Sequence, residues 1–306
     1  PCTQDLGLKK CSPQVGWGVN VSKSALGFPW ASQSIMVTGK EKLFMSEYEC
    51  MILEVSDHIA TVTLNRPEIM NAINWQAYAE LEEIFLNLQK DPEVRCIILT
   101  GAGRAFCSGD DVKEIMVQGG GSKRLRDVRP GTTPAARAIL DCDRPIIAAV
   151  NGAAVGWGMD MSLMADFRIA SEKAKFGELF VKRGLVADVG GMVRLPKLIG
   201  PQRAAELLFT GEVISAERAL ELGIVMSVVP HDDLLDEARV LASKIAANPP
   251  LAVRYLKEGL RRSYYGEYEE MGNWIGQTLG TLFQTEDHKE GVASFLEKRE
   301  PVFKGE

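Results

Sequence analysis

The sequence is poor in the residues that most often carry metal and nucleophilic chemistry. It has 3 histidines and 6 cysteines in 306 residues, and it lacks C-x-x-C pairs and the phosphate-loop, dinucleotide, zinc-protease and serine-hydrolase motifs. The histidines lie far apart, without the spacing of metal ligands. We therefore expect no metal and no cofactor, and we expect carboxylates and backbone N–H groups to carry the chemistry.

Long apolar runs and an excess of positive charge are also missing. The longest uncharged runs, 24–39 and 145–159, are shorter than the roughly 20 residues that span a bilayer. With 35 Lys and Arg against 41 Asp and Glu, the formal net charge is −6, which does not favour nucleic acid or an anionic membrane as a partner. The unpaired cysteines predict a cytoplasmic protein, with a mitochondrial or peroxisomal matrix as the alternative.

The composition divides the chain into three regions. Residues 1–44 mix Gly, Ser, Pro and Trp without helical or strand periodicity, and we interpret them as a poorly ordered N-terminal extension. Either a transit peptide or translated upstream sequence accounts for it, given a possible start at Met45. Residues 45–248 form the predicted core, and 249–306 form a helical C-terminal region.

The core alternates short apolar runs with helical patterns. Residues 59–64, 96–100 and 146–150 are predicted strands, and 75–88 and 134–140 are predicted helices. This alternation indicates an α/β fold with parallel pairing. The runs at 97–99 and 146–150 are continuously apolar, which is typical of strands buried on both faces.

Helical patterns dominate after Gly223. The predicted helices cover 232–247, 251–264, 267–283 and 287–298. Their apolar faces need a partner surface, so we expect them to pack on the body of the protein or on another subunit.

Two glycine-containing turns follow buried strands and lead into helical patterns. They span 105–112 and 151–160. Free backbone N–H groups at a helix start can bind an anion or a developing oxyanion. The alternative is that the glycines only make tight turns.

Several motifs resemble the enoyl-CoA hydratase/isomerase family, also called the crotonase superfamily, over 47–306. They are Asn-Arg-Pro-Glu at 65–68, Ala-Phe-Cys-Ser-Gly-Asp-Asp at 105–111, Ala-Ala-Val-Asn-Gly at 148–152, Ala-Asp-Phe-Arg-Ile-Ala at 165–170 and Phe-Leu-Glu-Lys-Arg at 295–299. The resemblance implies a crotonase-like spiral of β-β-α turns with a helical C-terminal trimerisation region. It also implies a trimer or a hexamer, and an acyl-CoA thioester substrate of which coenzyme A is a part.

The resemblance also implies an oxyanion hole made by the backbone N–H groups of Asp110 and Trp157. Hydratases of the family use two glutamates, whose positions are occupied here by Asp160 and Phe180. Glu178 lies two residues before the second position, and on a helix that offset would direct it to another face. A hydratase of that type would therefore lack one carboxylate.

The segment 180–191 resembles double-bond isomerases of the family, and Asp188 matches their catalytic carboxylate. We therefore favour an isomerase acting on an enoyl- or dienoyl-CoA, with Asp188 as proton carrier and Asp160 as second acid or orienter. The alternatives are hydration, with Asp160 and Asp188 sharing the water, and an acyl-CoA-binding protein without activity. Structural alternatives are an N-cap role for Asp188 and a buried, satisfied carboxylate for Asp160.

Other family positions concern the substrate. Arg66 and Lys298 match positions near coenzyme A, although a charged side chain is often simply solvated. Ser108 lies where the adenine or pantetheine passes, and Phe180 is a predicted wall of a dry acyl pocket. The basic segment 117–133 fits a mobile loop over that pocket or a solvated loop.

Overall fold

The computed structural model describes residues 33–38, 41–118 and 132–306. Most of the predicted extension 1–44 and of the predicted loop 117–133 therefore lies outside the described residues. Residues 33–38 pair antiparallel with 41–47, and 41–47 pair in turn with the following strand. The predicted boundary between residues 44 and 45 thus falls inside a strand.

The described chain alternates strands and helices as its sequence predicts. The strands are β1 Gln33–Thr38, β2 Glu41–Glu47, β3 Met51–Ser56, β4 Ile59–Leu64, β5 Cys96–Gly101, β6 Ala105–Cys107, β7 Ile146–Val150, β8 Ala153–Val155, β9 Phe167–Ser171, β10 Lys175–Gly177, β11 Ile214–Ser215 and β12 Ser227–Val229. The α-helices are α1 Trp75–Leu88, α2 Pro134–Asp141, α3 Trp157–Met164, α4 Leu195–Ile199, α5 Pro201–Thr210, α6 Ala216–Leu222, α7 Leu234–Ala246, α8 Pro250–Ser263, α9 Tyr268–Leu282 and α10 Glu286–Glu297.

The strands form two sheets. The larger sheet has the order β1-β2-β3-β4-β5-β7-β9-β12, and the smaller has the order β11-β10-β8-β6. Pairing in the larger sheet is antiparallel up to β4 and parallel from β4 onward. Consecutive strands alternate between the sheets: β5, β7 and β9 belong to the larger sheet, and β6, β8 and β10 belong to the smaller one. This repetition winds the chain into a spiral. The predicted α/β class is confirmed.

Strand β5 is buried on both faces, as its continuous apolar run predicts. Ile97 and Leu99 face the central core, while Cys96 and Ile98 face a second cluster that includes residues of α7. Because successive side chains of a strand point to opposite faces, both faces must be apolar when both are covered. This burial places the carboxyl ends of β5 and β7 firmly inside the fold, next to the two glycine turns.

The C-terminal helices are attached to the body by polar contacts. The Lys257 ammonium group lies 2.7 Å from the Asp166 carboxylate, and the Arg95 guanidinium donates to the Phe303 carbonyl at 2.9 Å. Large apolar side chains stay exposed on this region of the single chain, among them Phe295 with 82% of its surface accessible. Among the described residues, no helix combines the length and apolarity needed to cross a membrane.

Candidate active site

The first glycine turn follows β6 and is held by the chain segment that leads into α1. Ile73 donates its N–H to the Gly109 carbonyl and accepts from the N–H of Asp111, at 2.9 and 2.8 Å. In this parallel bridge, residues 109 and 111 form the bonds, so the N–H of Asp110 points away from Ile73. Gly109 has a φ of +93°, a conformation that costs a side-chain-bearing residue more than glycine.

The second glycine turn follows β8 and packs directly on the first. Gly156 has a φ of +55°, and Trp157 is the first residue of α3. A Cβ on Gly158 would lie 2.2 Å from the Cys107 carbonyl oxygen, and one on Gly109 would lie 3.4 Å from the Trp157 nitrogen. The missing side chains therefore allow the two turns to touch.

This contact brings the backbone N–H groups of Asp110 and Trp157 to neighbouring positions. In the described part of the chain, neither N–H has a hydrogen-bond acceptor. The Trp157 N–H also belongs to the first turn of a helix, whose N–H groups are free and lie at the positive end of the helix dipole. Two such donors can stabilise a negatively charged oxygen between them.

Asp188 lies beside this pair of donors. Its Oδ2 accepts a hydrogen bond from the indole Nε1 of Trp157 at 3.3 Å, and its Oδ1 accepts from the Val189 N–H at 2.7 Å. The following π-helical turn, Gly190–Arg194, begins after Val189 without a side-chain cap. The Asp188 backbone carbonyl also accepts from the Met192 N–H at 2.9 Å, so Asp188 borders this turn and the N-cap alternative stays a prediction. Its half-buried carboxylate lies beside the donors.

Asp160 is completely buried in α3 and holds the segment that contains Asp188. Its Oδ2 accepts from the Asp188 N–H at 3.0 Å, and its Oδ1 accepts from the Gly191 N–H. Burial raises the pKa of the Asp160 carboxyl, and these two backbone bonds oppose that rise. Both oxygens are engaged, which favours the orienting role among those that the sequence suggests.

Glu178 also joins this cluster, which the sequence argument did not anticipate. Residue 178 precedes a 3₁₀ helix, Leu179–Arg183, and has φ −88° and ψ 80°, so the offset expected on a helix does not apply. Its side chain points inward and leaves 1% of the residue exposed. Burial, followed by the nearby charges of Asp160 and Asp188, raises the pKa of Glu178 to about 9.

Tyr78, on α1, joins the two glycine turns and also escaped the sequence argument. Its hydroxyl donates to Asp110 Oδ1 at 2.6 Å, and its ring meets the Trp157 ring edge-on with centroids 4.9 Å apart. Burial raises the pKa of the Tyr78 phenol, and the Asp110 charge adds to that rise. Nothing in the local sequence pattern around residue 78 relates it to residue 110.

Arg66 and Ser108, which are predicted to lie near coenzyme A, make different contacts in the structure. Arg66 donates to the Ala72 carbonyl at 2.7 Å and lies 3.3 Å from the Asp111 carboxylate, so it supports the first glycine turn from behind. The Ser108 hydroxyl is 3.4 Å from the Ile69 carbonyl.

The remaining two predicted substrate residues lie on different elements. Phe180 is half-buried and packs against the central core, as expected for a pocket wall. Lys298 is exposed just after α10, with a φ of +55°. Across the described ranges, no group of three or more His, Cys, Asp and Glu side chains is arranged to hold a metal ion.

Comparisons with known proteins indicate one family. Residues 54–306 match the family model described as enoyl-CoA hydratase/isomerase. An (E)-benzylidenesuccinyl-CoA hydratase from Thauera aromatica is 42% identical, covering 83% of this chain and 98% of the relative. A carnitinyl-CoA dehydratase from Salmonella paratyphi A is 40% identical, covering 84% and 99%.

Solved structures lead to the same family. The crystal structure of an enoyl-CoA hydratase from Bacillus anthracis is 35% identical to this chain and superposes with a TM-score of 0.75, covering 88% of this chain and all of the other. Residues 54–306, which match the family model, contain both glycine turns and the carboxyl groups of Asp110, Asp160, Glu178 and Asp188. The chain belongs to the enoyl-CoA hydratase/isomerase family.

Proposed function

We propose that this chain is an enoyl-CoA hydratase, which adds water reversibly across the C2–C3 double bond of an acyl-CoA. The observation that carries the proposal is the contact between the two glycine turns, where a Cβ on Gly109 would lie 3.4 Å from the Trp157 nitrogen and the Trp157 indole donates to the Asp188 carboxylate. The relatives named above act as a hydratase and a dehydratase on acyl-CoA substrates, and this supports water addition.

The mechanism needs a donor pair and one carboxylate. The thioester carbonyl oxygen accepts hydrogen bonds from the N–H groups of Asp110 and Trp157, which stabilise the enolate that forms when water adds to C3. Asp188 removes a proton from the water molecule while the water oxygen bonds to C3. It then returns that proton to C2 as the enolate collapses, so that one water is added in total.

Asp160 has a positioning role in this mechanism. Its carboxylate accepts from the N–H groups of Asp188 and Gly191, so it fixes the backbone that carries the proton carrier. Fixing a general base within hydrogen-bond reach of its target is a large part of its efficiency.

Double-bond isomerisation is the second candidate, and it is the activity that the sequence favours. A carboxylate at Asp188 can remove a proton from C4 and return it to C2 without water. The observation in its favour is Phe180, an apolar side chain at the position where hydratases of the family are expected to carry their second glutamate. The names of the relatives favour hydration instead.

Turnover in heavy-oxygen water separates these possibilities. Trans-2-enoyl-CoA, 3-enoyl-CoA and 2,5-dienoyl-CoA substrates are incubated with the wild type, Asp188→Asn and the exposed control Asp232→Asn. Hydration predicts heavy oxygen in the product and a loss of about 10²- to 10⁴-fold in Asp188→Asn alone. A shifted double bond without heavy oxygen would establish isomerisation, and binding without turnover would favour an acyl-CoA-binding protein.

The same proposal extends to assembly and compartment. The exposed apolar side chains of the C-terminal helices, such as Leu256 and Phe295, suit burial between copies in a trimer or hexamer. In such an assembly, Lys298 can serve the coenzyme A site of a neighbouring copy. The four described cysteines are free and buried, which fits the reducing cytoplasm.

A further inference from the structure

The Glu178 carboxyl is a buried polar group that the proposed mechanism does not use. The residue is 1% exposed, and neither carboxyl oxygen has a hydrogen-bond partner within the described part of the protein. Buried carboxyl groups are normally paired or hydrogen-bonded because isolation is costly, above all for the ionised form. The position of Glu178 therefore needs an explanation.

Gly191 lies between Glu178 and Asp160. Its N–H donates to Asp160 Oδ1, and a Cβ at this position would lie 2.9 Å from both Cδ and Oε1 of Glu178. The neighbouring Gly190 approaches Asp160 more closely still, since a Cβ at residue 190 would lie 2.5 Å from Asp160 Oδ1. The glycine pair thus allows both carboxyl groups to pack against the backbone that follows Asp188.

We propose that Glu178 is a positioning residue that remains protonated while the enzyme works, packing beneath segment 188–191 without adding charge to Asp160 and Asp188. This inference rests on the proposed function, because it gives Glu178 a part in supporting the proton carrier Asp188. It assigns Glu178 to neither substrate contact nor proton transfer.

The distribution of donors decides which carboxyl holds the proton. Asp160 accepts two backbone N–H bonds, which stabilise its ionised form. Glu178 accepts none among the described residues, and the charges that act on it are those of Asp160 and Asp188. Asp160 in turn faces Asp188 and Asp110. In this cluster of acids, the neutral carboxylic acid is the less costly form of Glu178.

A protonated Glu178 limits the negative charge below the active site. If it ionised, its charge would repel Asp160, whose two bonds hold segment 188–191. Because the pKa of Glu178 is about 9, this ionisation takes place at alkaline pH. The backbone segment that supports Asp188 would then be held less firmly. Glutamine has the same shape as glutamic acid and cannot ionise. Glu178→Gln should therefore retain activity at neutral pH and should not lose activity at alkaline pH.

The test combines a spectroscopic and a kinetic measurement on the full chain. Infrared difference spectra at neutral pH should show the carbonyl band of a buried protonated carboxyl in the wild type and in the exposed control Glu212→Gln. The Glu178 band should be missing in Glu178→Gln, whereas the band of Asp160, whose pKa is raised by burial to about 7, should remain. In pH profiles of kcat/KM, Glu178→Gln should lie within about threefold of the wild type at neutral pH and lose the alkaline limb.

Each contrary result overturns the inference. A wild-type chain without the band at neutral pH shows an ionised Glu178, and a folded Glu178→Gln with an unchanged alkaline limb shows that its ionisation does not matter. If Glu178→Gln fails to fold, the shorter acid in Glu178→Asp should shift the band instead, and an unshifted band contradicts the assignment. Because the infrared band requires no turnover, its result stands even if no enoyl-CoA is hydrated.

Discussion

The indole Nε1 of Trp157 donates to Asp188 Oδ2 at 3.3 Å, so one residue serves two parts of the site. Its backbone N–H faces the position proposed for the thioester oxygen, and its side chain orients the proposed proton carrier. Trp157, at the start of α3, thereby connects the proposed oxyanion position with the Asp188 carboxylate through its own backbone and side chain.

Replacing Trp157 by Phe separates these two contributions. The backbone N–H remains, while the indole donor to Asp188 is lost. We expect kcat to fall by about tenfold with little change in KM, because a freer Asp188 meets its target less often. Steady-state kinetics measure this directly.

A double-mutant cycle provides the control for Trp157→Phe. If the indole acts through Asp188, the Trp157→Phe exchange should have little further effect on kcat in an Asp188→Asn background. Equal losses in both backgrounds would mean that Trp157 contributes by packing alone.

Tyr78→Phe tests the link between the glycine turns. The exchange removes the 2.6 Å bond to Asp110 Oδ1 and leaves a half-buried carboxyl without this donor, which costs about 1 kcal/mol. We expect a lower free energy of unfolding in urea and a kcat reduced severalfold, since the turn that carries the Asp110 N–H is less well fixed.

The exposed Tyr264 supplies a matched control for this exchange. Tyr264→Phe removes a hydroxyl from a side chain that is 53% exposed, and it should leave the unfolding energy unchanged. If Tyr78→Phe behaved like Tyr264→Phe, the hydroxyl would have no part in fixing the turn.

The sequence predicted those parts of the fold that periodicity and buried strands determine. The helix at 75–88 and the strands at 59–64 and 146–150 have the predicted bounds, because each is long enough for its apolar pattern to be distinct. The glycine turns were also foreseen, since turn chemistry is local. The preference for isomerisation depended on Phe180 and on the resemblance of segment 180–191, with Asp188, to isomerases, whereas the names of the relatives favour hydration.

Contacts across the fold could not be predicted in this way. Tyr78 meets Asp110 only because the bridge at Ile73 carries α1 past the first glycine turn. Glu178 was assigned by helical geometry to another face, but residue 178 is not helical. In both cases a side chain reaches the site through tertiary structure that no local pattern encodes.

Phe180→Glu should change the balance between the two candidate reactions. A carboxylate at this half-buried position attracts water to the acyl pocket, so the ratio of hydration to isomerisation should rise. The unpaired charge should also destabilise the fold by about 1–3 kcal/mol. Product analysis in heavy-oxygen water measures the ratio.

Phe180→Leu is the apolar control for this exchange, because it alters volume without adding charge. Its ratio of products should stay close to that of the wild type. Unchanged hydration and isomerisation rates in Phe180→Glu would mean that the side chain at residue 180 does not control the access of water.

Glu178 should make the stability of the protein depend on pH in a defined direction. Its pKa rises from 4.5 to about 9 in the folded chain. Between these values the folded state binds a proton that the unfolded state has lost, so the stabilisation present below pH 4.5 disappears as the pH rises towards 9. Glutamine binds no proton in either state, so Glu178→Gln should not lose stability in this way as the pH rises.

The stability difference between Glu178→Gln and the wild type should therefore grow in favour of the variant with rising pH, by at most about 1.4 kcal/mol per pH unit. Urea unfolding of both proteins at several pH values across this window measures the slope. Glu212→Gln, which removes an exposed carboxyl, should show a slope near zero. A flat difference for Glu178→Gln would mean that Glu178 ionises in the folded chain as readily as in the unfolded one, which its burial beside Asp160 argues against.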